Sequence, residues 1–154
     1  MYESLLFLHS LLRWAVVLSV AVVLVQSLTG WWANRPYTRA DAIGRAVATS
    51  VSHTQLLLGF ALYVESPITA YFRTHTAQAL AYPEMTFFGL VHLTLMLIGV
   101  VVLTIGSSKG KRAPTDRLRH RTVAVYFLLG AVLIFCAIPW PFSPLAQRPL
   151  WRVF

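Results

Sequence analysis

"LLFLHSLLRW", residues 5–14, places a histidine and an arginine four positions apart inside an apolar run. The run continues to Leu28, and about 20 apolar residues suffice for a helix to cross a bilayer. Hydrocarbon is a poor solvent for an imidazole or a guanidinium. Ionisable side chains at such depth face the interior of a helix bundle and mark functional sites. His9 and Arg13 therefore predict a membrane protein with a polar interior. At i and i+4 they share one helical face.

The rest of the chain repeats that pattern. Of 154 residues, 57% are hydrophobic and 12% charged, with a mean hydropathy of +0.65. That composition excludes an ordinary soluble domain. The net charge of +8 does not indicate a nucleic-acid partner. The basic residues sit between apolar runs and form no patch with interleaved aromatics. Cys136 is the single cysteine, so the chain forms no internal disulfide. The chain opens Met1-Tyr2-Glu3-Ser4 without a basic n-region. The first run is too long for a cleaved signal and is expected to persist as a helix.

Four spans are predicted, at about 3–32, 38–65, 84–106 and 117–138, in one all-α domain. "NRPYTRAD" separates the first pair, and Thr38 with Asp41 resembles a capping box. "ESPITAYFRTHTAQALAYPE" separates the second and third spans and has room for a short interfacial helix. "GSSKGKRAPTDRLRHR" separates the third and fourth, with Thr115 or Asp116 as the cap. "PWPFSP" ends the fourth span, since proline cannot continue a helix. Arg35, Arg39 and Arg45 in the first loop and six basic residues in the third outnumber Arg73, Arg148 and Arg152. The positive-inside rule then puts both termini on the outer, periplasmic side of an up-down-up-down four-helix bundle. The expected location is the bacterial cytoplasmic (inner) membrane, with lipid as the surrounding partner.

"FLHSLL" in the first span echoes "LVHLTL" in the third. From the outer face, His9 lies about 9 Å deep, His92 about 12 Å and His53 about 17 Å, at 1.5 Å per residue. Within a helical turn, three imidazoles from three spans share one slab. A shared ligand accounts for that convergence better than independent interhelical hydrogen bonds do. Two neutral histidines facing each other across a haem suit the diagonal pair of a four-helix square, which is spans one and three. Neighbouring helices pack about 8–10 Å apart, so the diagonal of about 11–14 Å accommodates both side chains and an iron. His9 and His92 are the expected axial ligands, and His53 is an alternate ligand, a hydrogen-bonding neighbour or a quinone contact. One haem b is the ceiling. Arg13 is expected to meet a haem propionate or a quinone oxygen. A three-histidine site for copper, zinc or non-haem iron is the chemical rival. His75 and His120 are read as solvated loop and helix-mouth residues. No Ser/His/Asp set, phosphate loop or CxxCH is present.

"LHSLLRW", "RPYTRAD", "SHTQLLLGFALYVESP", "FFGLVH", "IGSSKGKR" and "IPWPF" resemble, in order and spacing, the small four-helix bacterial membrane proteins called cytochrome b. The resemblance covers nearly the whole chain. It implies His9, His53 and His92 as the matching histidines. In that pattern an acidic residue precedes the third histidine, and here the position is Val91. The expected function is a b-type cytochrome carrying electrons as a subunit or accessory of a respiratory complex. Other membrane subunits or further copies of the chain would be its partners. The alternative is a cofactor-free structural or assembly subunit.

Overall fold

The computed structural model describes residues 1–151, so Arg152, counted above with the outer loops, lies outside the described residues. Among the described residues seven α-helices are formed: α1 (Tyr2–Trp32), α2 (Arg39–Glu65), α3 (Pro67–Thr74), α4 (Thr76–Ala79), α5 (Pro83–Thr86), α6 (His92–Arg112) and α7 (Asp116–Ala137). A π-helical turn, Phe87–Val91, joins α5 to α6. There is no strand among the described residues. Four helical stretches, Tyr2–Trp32, Arg39–Glu65, Pro83–Arg112 and Asp116–Ala137, are long and apolar enough to cross a membrane, which is the character of a multi-pass membrane protein.

The helix ends follow local chemistry. Thr38 accepts from the Asp41 N–H while the Asp41 carboxylate accepts from the Thr38 N–H at 2.8 Å, so the capping box is complete. Thr115 caps α7 by accepting from the Leu118 N–H. Asn34, at φ 49°, turns the chain out of α1. The Arg35 N–H then closes on Gly30 O, a wrap that needs a left-handed residue. Asp41 receives both terminal nitrogens of Arg35 at 2.7 Å. Those hydrogen bonds, then its charge, push the Arg35 guanidinium above its ordinary value. The third span is longer than expected: "GSSKGKR" continues α6 to Arg112. Glycine and serine are tolerated there because Gly106, Ser107 and Gly110 face the neighbouring helices and are buried. Arg45, counted above with the first loop, is a buried residue of α2. Its guanidinium donates to Ser107 O at 2.9 Å and Ser107 Oγ at 2.6 Å. Between α2 and α6 the chain does form the short helix α3. Thr69 and Arg73 reach back to the Tyr63 carbonyl that α2 leaves open.

α1 packs on α2 and α7, and α6 packs on α7 and α2, with the α6–α7 seam the most extensive. Neither α1 with α6 nor α2 with α7 makes a comparable contact. One half of this assembly is solid. Val16, Val20 and Val23 of α1 recur every three or four residues and meet Ala48, Leu103, Val123 and Phe127. Burial at that spacing is the inward stripe of a helix. The α6–α7 seam closes through glycine: a Cβ at Gly106 would collide with the Cβ of Tyr126.

Gly106→Ala forces that seam apart. Overpacking typically costs about 1–3 kcal/mol, so the variant should unfold at lower temperature in detergent. Leu128→Ala, on an exposed position, should leave the midpoint within error.

Candidate functional site

The other half of the assembly is hollow. A cavity of about 160 Å³ runs between α1, α2 and α6. Its α1 wall is Tyr2, Leu6, His9, Ser10, Arg13 and Val16, one stripe at helical spacing. From Tyr2 to Val16 that stripe climbs about 21 Å along the helix axis. Ser52, Gln55, Gly59, Leu62 and Tyr63 give the α2 wall, and Phe88, His92, Met96 and Val100 the opposite one. The lining is apolar with a few convergent polar groups, the usual form of a small-molecule site.

Two of the expected site histidines meet in this cavity. The His9 and His92 rings have centroids 6.3 Å apart and planes at 65°. They come from α1 and α6, which do not pack against each other extensively. His92 Nδ1 lies 2.7 Å from Ala137 O on α7. A carbonyl only accepts, so Nδ1 carries the proton and Nε2 is left with a bare lone pair. The π-helical turn ends at Val91, immediately before His92, and brings Phe87 and Phe88 against its ring at 5.8 and 6.2 Å. Such turns are frequent at functional sites because one extra residue re-aims the side chains that follow. The Tyr63 O–H holds the turn by donating to Gly89 O at 3.0 Å.

His9 is held from α2. Gln55 Nε2 donates to the His9 carbonyl at 2.9 Å. The Cε1–Nδ1 edge of the ring faces Gly59, where a Cβ would stand 3.4 Å from Cε1. Nδ1 is buried with no partner among the described residues, as is Gln55 Oε1.

His53 does not join the pair. It is exposed on α2, with Nε2 2.9 Å from Thr104 Oγ1, and it is absent from the cavity lining. Equal depth did not mean equal direction: a helix turns about 100° per residue, so His53 and Gln55 face different sides. Among the described residues no group of three His, Cys, Asp or Glu side chains lies close enough to hold a metal ion. His75 stacks on Tyr71 at 4.6 Å and is exposed. His120, expected to be solvated, is instead fully buried. Its ring occupies the hollow left by Gly30, where any Cβ would collide with it, and it tilts against Tyr37 at 4.9 Å. One turn into α7, it faces inward, away from the arginines around it in sequence.

Arg13 lines the same cavity, one turn beyond His9. Its Nη2 donates to Leu150 O at 2.7 Å, and the Trp14 indole N–H donates to the same oxygen at 3.2 Å. Its Nε has no partner among the described residues. The segment after α7 thus returns over the cavity mouth. Trp151 stacks on Trp14 at 5.1 Å, Arg148 pairs with Glu84, and its guanidinium lies 4.9 Å from the Phe88 ring centre. Pro139, Arg148 and Pro149 line the cavity. Sequence reading missed this strap. Its signals were Arg148 and Trp151 near the chain's end, matching Glu84 and Trp14 elsewhere.

No known protein family, characterised protein or solved structure matches this chain.

Arg13→Met should release the strap. A hydrogen bond from a charged donor contributes about 1.5–3 kcal/mol. Amide exchange of Leu150 and Trp151, followed by mass spectrometry or NMR, should then quicken by roughly tenfold or more, with the four spans unchanged.

Proposed function

We propose that this protein is a membrane b-type cytochrome that holds one non-covalent haem between His9 and His92. The observation that carries the reading is the 6.3 Å between the two ring centres. At a metal–imidazole bond of about 2.0–2.1 Å, two rings this close would both be within reach of one iron. The donor chemistry agrees. The Ala137 carbonyl fixes the His92 tautomer with Nε2 free, as an outer carbonyl does for metal-bound histidines. The cavity beside the two rings, apolar with a few convergent polar groups, supports a largely apolar guest with polar edges.

The chain's own residues do the holding. Phe87 and Phe88 wedge the His92 ring, Gln55 ties the backbone at His9 to α2, and Gly59 leaves that ring room. Arg13 is a cation in the lining with no carboxylate partner among the described residues. It suits a propionate, or a quinone oxygen when a quinone is the redox partner. Haem, when bound, supplies reversible one-electron transfer. The contact pattern of the long helices supports the up-down-up-down order, with α1 and α6 diagonal. With both termini on the periplasmic side of a bacterial inner membrane, the histidine pair lies in the outer half. There the protein serves as a subunit or accessory of a respiratory complex.

Purified from haem-replete cells, the protein should be red, with a Soret band that shifts on dithionite reduction. His9→Ala and His92→Ala should each lose most of that band. His53→Ala and His120→Ala should keep it. A colourless wild-type protein, or equal loss in all four variants, would support the cofactor-free structural subunit instead.

A further inference from the structure

Ile43, Ala46, Ser50, His53, Leu57, Phe60 and Val64 recur at alternating steps of three and four, and every one is exposed. They form one continuous stripe along the outer face of α2. The two polar members, Ser50 and His53, lie next to each other at the middle of the 27-residue helix, where hydrocarbon would surround them.

The hydrogen bonds show what they lack. Thr104 Oγ1 donates to Val100 O at 2.7 Å, so its proton is already committed. His53 Nε2, 2.9 Å away, must then be the donor to Thr104. In the neutral ring, Nδ1 is left as an acceptor with no partner among the described residues. Ser50 Oγ likewise has none. One group accepts and the other donates, one helical turn apart. The set is complementary to itself.

The geometry points to a second copy of this chain as the occupant, in a parallel α2–α2′ dimer centred on Ser50 and His53. Two copies inserted in one membrane share an orientation, so a two-fold axis along the bilayer normal brings each stripe onto its equal. The small residues Ala46 and Ser50 let the backbones approach. The Ser50 hydroxyl of each copy donates to His53 Nδ1 of the other. These polar groups also fix the register, because any slip leaves them in hydrocarbon. The dimer face does not include the His9–His92 cavity, so it stands whether or not a haem is bound.

Ser50→Cys in a Cys136→Ala chain, oxidised with copper phenanthroline in native membranes, should yield a disulfide-linked dimer. Val132→Cys, on the exposed face of α7, should yield roughly tenfold less, the ratio set by about 1.4 kcal/mol of preference. Hydrogen bonds between membrane spans contribute about 0.6–1.7 kcal/mol each, and the symmetric pair is lost together, so His53→Leu should weaken dimerisation in nanodiscs by roughly eightfold to three-hundredfold. Equal linking by the two cysteine variants, a cross-link of the Ser50→Cys chain to a different protein, or single-step photobleaching of the labelled wild-type chain would each overturn the dimer.

Discussion

Hydrocarbon offers a polar group no hydrogen-bond partner, and the whole arrangement answers to that fact. Many of the hydroxyls, amides and guanidinia in the spans therefore find a partner within the protein. Thr49, Ser52 and Thr104 bond carbonyls one turn back on their own helices. Arg45 crosses to Ser107, and Gln55 crosses to the backbone at His9. The crossing bonds tie α2 to α6 and to α1. They set the helices in register where apolar packing by itself would let them slide.

Packing then divides the molecule. Towards the α1–α2 turn, valines, a leucine and Phe127 close a solid core, and glycines let α6 and α7 touch. Towards the strap, the same helices carry Ser52, Gln55, Gly59 and the paired histidines, and a space remains. Small and polar residues on inward faces leave such a space because they neither fill volume nor expel ligands. The π-helical turn belongs to this half. By adding a residue before His92 it turns two phenylalanines onto the imidazole, and the Tyr63 hydroxyl clamps it.

Four histidines of the spans meet three different fates. His92 and His9 look into the cavity, His53 looks out, and His120 is sealed beneath Gly30. Arg13 shows a related division. One terminal nitrogen is used by the strap while Nε stays unpartnered among the described residues. The strap therefore has two effects: it closes the mouth, and it orients the only cation in the α1 wall.

The four spans, the capping box at Thr38 and the Thr115 cap were legible because each depends on neighbours within a turn or on a run of apolar residues. The apposition of His9 and His92 was partly legible, since helical rise gives depth from sequence. Direction was not. Whether His53 faces inward depends on how α2 is rotated against α1 and α6, and only the packed assembly decides that rotation. The burial of His120 needed Gly30, far earlier in the chain, and the strap needed Glu84 and Trp14. Such contacts depend on tertiary packing because no local rule relates residues so far apart in the chain. Apolar length and capping chemistry act locally and can be read directly; facing, closure and cavity arise only when the helices meet.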